Sequence, residues 1–422
     1  MTDAAAALDE VWRRESPRLV SALLRITRDL GRAEDLAQEA LAAALAQWPS
    51  DGVPDNPAAW LMTTAKRRAV DQLRAGERQA RAYAELSVRA AEAYEESFTF
   101  DHVEDDQLRL MLICAHPSLS DDTRTVLTLR LVAGLTTREI ARAYLTSEAT
   151  VASRISRAKR TLGTAGAALE EPTGQDRADR IGSVMAVVYL LFNEGYAATA
   201  GVDWTRPALC AEAVRVATLL TRLLPDDPEA HGLLALLELQ SSRLDARLDA
   251  TGEAVLLADQ DRTRWDAAAI ARGLAALDAA ARLLLAAGPG ETEPGRYALQ
   301  AAIAAEHARA PSVEQTDWPR IAGLYERLAL LTGSAVVELN RAVALGMAVG
   351  PQAGIDLLDQ VASLLPGYHL VPAVRGDLLA RLGRDAEAAA ELRRAAALAG
   401  NERERALLNR RAAALDEVAE GS

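Results

Sequence analysis

Small hydroxyl side chains and arginines recur on one face of residues 136–162. Thr136 and Glu139 match a capping box that begins one short helix, and Ser147 is a favourable N-cap for a second helix. The apolar residues of the second helix fall four, three and four positions apart and predict a buried face of Val151, Ile155, Ala158 and Leu162. The opposite face carries donors and cations that can reach base edges and phosphates, namely Thr150, Ser153, Ser156, Arg157 and Arg160. The segment therefore predicts a helix-turn-helix, with an ordinary pair of packed helices as the alternative.

A row of cations marks a second candidate nucleic-acid surface, on a helix predicted to start at Pro57 with Asn56 as its N-cap. Only Asp71 and Glu77 oppose the cations of this helix, which are Lys66, Arg67, Arg68, Arg74, Arg78 and Arg81. An opened single strand needs positive charge for its backbone and an aromatic ring for its bases, and Trp60 supplies the ring. Taken alone, the pattern is more typical of an amphipathic helix whose arginines extend into solvent.

Helical periodicity divides the preceding residues 8–48 into two pieces, with Gly31 as the expected break. In the second piece Leu36, Ala40 and Trp48 predict an inner face. The outer face is expected to carry Glu34, Asp35, Gln38 and Glu39. By spacing alone, such a charged face is usually only solvated.

Three stretches of sequence together resemble the extracytoplasmic-function (ECF) type of RNA polymerase sigma factor. They are RAEDLAQEAL from Arg32, AAWLMTTAKRRAVDQLR from Ala58 and GLTTREIARAYLTSEATVASRISRAKRTL from Gly134. They occur in that family's order and spacing, and the resemblance covers roughly residues 8–165. In the family the first two stretches belong to region 2, which binds core polymerase and the −10 promoter element. The third belongs to region 4, which reads the −35 element.

The resemblance also implies roles for individual residues. Binding to core polymerase is implied for Asp35, Gln38 and Glu39. Contact with the −10 strand is implied for Trp60, Thr64, Lys66, Arg67, Arg68, Asp71 and Arg74, although the family often has asparagine where Arg67 stands. Contact with the −35 element is implied for Thr137, Arg138, Ala152, Ser153, Ser156 and Arg157, the first two at a helix N-terminus suited to a phosphate. The implied partners are promoter DNA and the β′ clamp and β flap of core RNA polymerase.

Composition favours an all-α fold, because half of the residues are hydrophobic and only 4% are aromatic, with alanine and leucine dominant. We expect region 2 over residues 1–85, an acidic linker over 86–106, region 4 over 107–165, a polar linker over 166–180 and a helical extension over 181–422. Two consecutive helix–turn–helix units within residues 334–400 resemble tetratricopeptide repeats. The extension is therefore expected to be tetratricopeptide-like from about residue 320 and to offer a surface to a protein partner.

The net charge of −13 is unevenly distributed along the chain. Up to residue 170 there are 22 cationic against 25 acidic residues, and beyond it 25 against 35. Binding to DNA is therefore expected to be local, through the basic stretches. The distant Cys114 and Cys210 and five scattered histidines match neither a disulfide framework nor a metal site, and no cofactor is implied. No signal peptide and no apolar run long enough for a bilayer is evident, so we expect a cytoplasmic protein that does not bind membranes.

These patterns predict a sigma factor without catalytic residues, whose C-terminal extension modulates or is required for its activity. A helix-turn-helix transcriptional regulator with a helical sensor domain is the main alternative, although it would not need the first two stretches. An enzyme in the C-terminal half is a further alternative, with Asn193, Glu194 and Tyr196, or Asp259, Asp261 and Arg262, as its polar groups.

Overall fold

The computed structural model describes residues 2–81, 103–144, 146–166, 172–196, 206–249, 252–288 and 293–421. Within these ranges the chain forms eighteen α-helices and no β-strand, which confirms the all-α fold class. The first eight are α1 (Thr2–Thr27), α2 (Leu30–Asp51), α3 (Pro57–Arg81), α4 (Val103–Cys114), α5 (Asp121–Leu131), α6 (Thr137–Ala143), α7 (Glu148–Thr164) and α8 (Gly174–Tyr196). The others are α9 (Pro207–Leu223), α10 (Pro228–Ser241), α11 (Ala267–Ala286), α12 (Arg296–Arg309), α13 (Trp318–Thr332), α14 (Ala335–Ala348), α15 (Pro351–Val361), α16 (Leu370–Arg381), α17 (Asp385–Leu398) and α18 (Glu402–Gly421).

The chain divides into two compact units, Met1–Val187 and Val188–Ser422, and the division falls inside α8. Both expected sigma regions lie in the first unit. Most of the expected acidic linker lies outside the described residues, since nothing between 82 and 102 is described, and so do residues 167–171 of the polar linker. The expected boundaries of the five segments therefore stay predictions.

The first unit is built around α1, which packs against α2 and α3 and also against α4. Its core is made of leucines that are almost completely buried: Leu19, Leu23, Leu36, Leu61 and Leu110. Because α4 belongs to the expected region 4, the two sigma regions share this core. The helices α5, α6 and α7 pack on one another in the same unit, which also contains the first part of α8.

The sequence suggested a break between α1 and α2 at Gly31. The structure places the break at Arg28 and Asp29 instead. Arg28 adopts a left-handed backbone conformation with a φ of 53°, which ends α1. The Asp29 carboxylate then accepts a hydrogen bond of 2.8 Å from the Arg32 backbone N–H and caps α2. The cap decides the boundary, and Gly31 lies within the first turn of α2.

The second unit consists of helix pairs that pack closely in chain order. A Cβ on Gly232 of α10 would lie 2.6 Å from the Ala298 backbone nitrogen of α12, and one on Gly354 of α15 would lie 2.6 Å from the Ala342 carbonyl oxygen of α14. Glycine is therefore required at both positions for the backbones to approach. The pairs α14–α15 and α16–α17 lie within the segment expected to be tetratricopeptide-like, and their corresponding helices begin about 34 residues apart. The repeat assignment itself remains a prediction.

A helix that crosses a bilayer must be both long and apolar, and none of the described helices meets both conditions.

Candidate nucleic-acid and polymerase interface

The predicted helix-turn-helix is formed by α6 and α7. The Thr136 backbone N–H donates to the Glu139 carboxylate at 2.8 Å, and the Glu139 N–H donates to the Thr136 hydroxyl at 3.1 Å, which confirms the capping box. The Ser147 hydroxyl accepts a hydrogen bond of 3.1 Å from the Thr150 N–H and caps α7, as predicted. The intervening Leu145 lies outside the described residues.

The two faces of α7 are those that the spacing predicted. Its apolar residues are buried and pack into the first unit: Val151, Ile155, Ala158 and Leu162. Its outer face exposes Ala152, Ser153, Ser156, Arg157 and Arg160, with Thr150 half-buried. A polar recess of about 310 Å³ lies beside Arg154 and Arg157, between α7 and the turn before α5. Arg154 is 3.8 Å from Asp122 at this recess, whereas Arg157 lies along the outer face of α7.

The start of α6 is less suited to a phosphate than its sequence suggests. Arg138 is exposed and Thr137 is half-buried. The capping box, however, uses the backbone N–H groups of Thr136 and Glu139, and the Glu139 carboxylate adds negative charge at this helix end. At this end of α6 the exposed Arg138 guanidinium is therefore better suited to attract a phosphate than the helix N-terminus is.

The cationic helix α3 begins where the sequence placed it. The Asn56 side-chain oxygen accepts a hydrogen bond of 3.0 Å from the Ala59 N–H, which confirms Asn56 as the N-cap. Trp60 is half-buried, and its ring packs edge-on against Trp48 of α2 with centroids 5.6 Å apart. Six other residues of α3 are implied in −10 contact. Three are exposed, namely Arg67, Asp71 and Arg74, and three are half-buried, namely Thr64, Lys66 and Arg68.

The residues implied in polymerase binding lie on α2. Asp35 and Glu39 are exposed and Gln38 is half-buried. Arg68 of α3 is 3.5 Å from the Glu39 carboxylate and also donates to the Glu39 backbone carbonyl. The implied polymerase-binding and −10 surfaces are therefore adjacent and joined by one ion pair.

Glu34 is not on the outer face of α2, contrary to the sequence analysis, but is only 7% exposed. Its carboxylate oxygens lie 3.1 Å from Nε of Arg130 in α5 and 2.5 Å from Nζ of Lys159 in α7. Arg130 also donates to the Leu135 carbonyl at 3.1 Å. A single carboxylate of the expected region 2 therefore binds two cations of the expected region 4, and we call these three residues the Glu34 cluster.

The sequence contained a signal for this burial. Glu34 lies four residues after Leu30 and three before Ala37, both of which are buried, so it shares their side of α2. Cys114 is fully buried in the same core, as expected of a packed cysteine. Burial raises the pKa of the Cys114 thiol, and the nearby Glu34 charge raises it further.

Comparison with known proteins identifies the two sigma regions. Residues 11–79 match the family model for sigma-70 region 2, and residues 109–162 match that for sigma-70 region 4. An ECF RNA polymerase sigma factor, SigK, of Mycobacterium sp. (strain KMS) is 32% identical over 162 residues, which are 36% of this chain and 78% of the relative. SigK of Mycobacterium bovis (strain BCG / Pasteur 1173P2) is 29% identical over 164 residues, 37% of this chain and 84% of the relative. The chain belongs to the ECF sigma factor family.

The extension beyond region 4 is shared with a second set of proteins. Residues 180–281 match a family of unknown function (DUF6596). An uncharacterized protein of Rhizobium meliloti (strain 1021), R00370, is 43% identical over 397 residues, which are 93% of this chain and 92% of the relative. The similarity to R00370 thus covers the sigma regions and the helical extension together.

As an ECF sigma factor, this chain directs transcription initiation in association with core RNA polymerase and promoter DNA, and the alternative of a helix-turn-helix regulator is not favoured. Sigma factors are initiation factors and not enzymes. Among the polar groups considered for an enzyme, Glu194 is 2.7 Å from Arg206, and the Tyr196 ring lies 3.9 Å from the Arg247 guanidinium carbon. Asp261 caps a short 3₁₀ turn by accepting from the Thr263 N–H at 2.9 Å.

Proposed function

We propose that this sigma factor docks on the β′ clamp of core polymerase through Asp35, Gln38 and Glu39. The observation that carries the proposal is the contrast between Glu34 and its neighbour: Glu34 is buried, whereas Asp35 and Glu39 project from the same helix into solvent. Exposed carboxylates outside the core are suited to steering and binding a cationic partner. Run-off transcription from a matching promoter with purified core polymerase tests the proposal, with binding to core measured in parallel.

The same proposal assigns the two cationic helices to DNA. The exposed face of α7, with Ala152, Ser153, Ser156 and Arg157, enters the major groove of the −35 element, and Thr137 and Arg138 approach its phosphates. The α3 positions contact the opened −10 strand: Trp60, Thr64, Lys66, Arg67, Arg68, Asp71 and Arg74. The β flap of the polymerase holds region 4 in place.

This assignment requires regions 2 and 4 to separate on the promoter. The element names place them about 25 base pairs apart, which is roughly 85 Å of duplex. A compact unit of this length is roughly 40 Å across, so α3 and α7 cannot reach both elements while the unit stays closed. Opening breaks the Glu34 cluster, because its acid and its cations lie on the two separating regions.

We further propose that the helical extension is required for activity and binds polymerase or another protein through its array of helix pairs. Arrays of paired helices commonly serve as binding surfaces, and covalent attachment raises the effective concentration of a contact to about the millimolar range. An inhibitory domain would instead need a separate release signal, and the sequence identifies none.

Two truncations test the role of the extension. One ends after Gly166, beyond the last turn of α7, and the other ends after Tyr196 and so retains α8. We expect both proteins to fold in region 2 and region 4, to bind core polymerase and to lose transcription. Increased transcription would instead indicate autoinhibition and contradict the proposal.

A further inference from the structure

Residues 242–266 of the second unit form a long connection, described except at residues 250 and 251, which we call the strap. Its ends are joined, because the Asp266 N–H donates to the Ser242 carbonyl at 2.9 Å. In its middle, Leu248 and Ala254 form an isolated antiparallel bridge. The strap lies between α10 and α11, within the residues that match the family of unknown function.

Two groups of contacts fix the strap across the second unit. On one side Arg410 of α18 is 2.8 Å from the Glu253 carboxylate, and Arg403 of the same helix donates to the Gly252 carbonyl. On the other side Arg262 of the strap donates to the His307 carbonyl at 2.8 Å and to the Thr316 hydroxyl at 3.2 Å. The strap therefore connects the last helix to the turn between α12 and α13.

A chamber of about 560 Å³ lies under the strap. The strap forms one wall, and side chains of α12, α13, α14, α16 and α18 form the others. Most of the lining is apolar, including Leu257, Trp318, Val343, Met347, Val374 and Leu378. Both the volume and the lining are typical of a site for a small organic molecule.

The charges in the chamber do not cancel. Arg411 is paired with Asp377, whose carboxylate also feels the charge of Arg381, and both Asp259 and Arg381 are exposed to solvent. Arg262 and Arg381 also line the chamber, and within the described part of the chain neither makes an ion pair with a carboxylate. The three acceptors of Arg262 are uncharged: the carbonyls of His307 and Ala310 and the Thr316 hydroxyl. The carboxylate of Glu314 attracts Arg262 but is exposed and makes no ion pair with it, so this partly buried guanidinium remains able to bind an anion.

His307 of α12 adds a neutral polar group to the lining of the chamber. Its Nδ1 atom is buried and has no hydrogen-bond partner among the described residues. Burial, together with the charges of Arg243 and Arg262, lowers the pKa of this imidazole to about 4, so the ring is uncharged at neutral pH. The ring packs edge-on against Trp318 with centroids 5.2 Å apart, next to the apolar lining.

We propose that this chamber binds an amphipathic monoanion, a small molecule with an apolar body and a single carboxylate. The apolar body fills the space beside Trp318, Met347 and Leu378, and the carboxylate lies within reach of Arg262 or Arg381. Bound there, the ligand links the strap to α14 and α16. This site is separate from the DNA and polymerase contacts proposed for regions 2 and 4, which lie in the first unit.

Isothermal titration of the full-length chain with decanoate and decanol tests this site, because the two ligands differ in charge and share the same apolar chain. We expect decanoate to bind at least about tenfold more tightly, because a hydrogen bond between two charged groups is stronger than one made by a neutral hydroxyl. Arg381→Gln should weaken decanoate binding about tenfold and leave decanol binding unchanged. The matched control is Arg282→Gln, which removes an exposed arginine of α11 that does not line the chamber.

A second variant tests whether the ligands bind inside the chamber or elsewhere on the protein surface. Met347→Trp should fill the chamber and abolish binding of both ligands, and circular dichroism with a thermal melt establishes that the variant is folded. Equal affinities for decanoate and decanol, no saturable binding of either, or decanoate binding that Arg381→Gln does not change would each overturn the proposal.

Discussion

The first unit joins its two sigma regions through a buried carboxylate in addition to their shared leucine core, whereas the second unit brings helix backbones into direct contact. In the Glu34 cluster the side chains of Arg130 and Lys159 keep 17% and 22% of their exposure, so water and salt can reach the cations. At Gly232 and Gly354 nothing but a hydrogen atom fits between helices. A contact made by charge can open and close again, while a backbone contact holds only in one arrangement. The comparison indicates a first unit that can change shape and a second unit that serves as a fixed scaffold.

The largest effect is expected where the second unit is most tightly packed. Gly232→Val should lower the free energy of unfolding of that unit by more than about 4 kcal/mol, because the new Cβ would meet backbone atoms of Tyr297 and Ala298, which cannot rotate away. Thermal denaturation followed by circular dichroism measures the loss. The first unit should keep its own transition.

Gly323→Ala in α13 is the matched control. No atom lies within 4 Å of a Cβ at this position, and alanine is the better helix former. We expect stability to be unchanged or higher by up to about 1 kcal/mol. If the two glycine variants lower stability equally, close backbone contact is not what holds the second unit together.

The next largest effect is expected at the Glu34 cluster. Removing one partner of a fully buried ion pair costs about 3–5 kcal/mol, and the partial exposure of Arg130 and Lys159 reduces this to about 2 kcal/mol for Glu34→Gln. The same change should favour separation of regions 2 and 4, which small-angle scattering would detect as a larger radius of gyration. Both effects should diminish at high salt, because screening weakens the wild-type contact as well.

Asp35→Asn provides the control one residue away, on the exposed side of α2. We expect neither its stability nor its radius of gyration to change, since surface substitutions of this kind usually stay within about 0.5 kcal/mol. A Glu34→Gln protein that is as compact and stable as the wild type would show that the sigma regions are held together by their shared leucine core alone.

Much of the first unit could be predicted from the sequence because its signals are local. The capping box at Thr136, the Asn56 cap and the buried face of α7 each depend on residues within one or two helical turns. Local signals also placed Asp35 and Glu39 on an exposed face. Local signals gave the wrong boundary at the start of α2. The left-handed conformation of Arg28 and the Asp29 cap set the boundary there, and Gly31 does not.

What the sequence could not show depends on residues far apart in the chain. Glu34 meets Arg130 and Lys159 only after regions 2 and 4 pack, and its charge made an outer position the natural expectation. The strap and its chamber combine residues from 256 to 411, and no spacing rule links them. The edge contact of Trp60 with Trp48 also depends on how two helices pack, because it joins the end of α2 to the start of α3.

Exposed charges of the first unit should affect recognition without affecting stability, in contrast to Glu34. Arg157→Ala should relax selection at one position of the −35 element and cost about 1–3 kcal/mol there if the guanidinium pairs with a guanine edge. Arg138→Ala should weaken binding evenly across promoter sequences, as loss of a phosphate contact does. Competition binding of the polymerase complex to a library of −35 variants measures both. A uniform loss for both substitutions would contradict this division of roles.

The smallest effect is expected at the surface proposed for core polymerase. Reversing the charge of both Asp35 and Glu39 would not separate loss of polymerase binding from a change in the fold. Glu39 is ion-paired with Arg68, and a cation at residue 39 would also displace α3. Asp35→Arg alone is the cleaner change, because Asp35 is exposed and Glu34 beside it keeps the two sigma regions together. We expect about tenfold weaker binding to core polymerase, or about 1.4 kcal/mol, with an unchanged thermal transition. Binding at wild-type affinity would exclude Asp35 from the contact and move the polymerase-binding surface away from this face of α2.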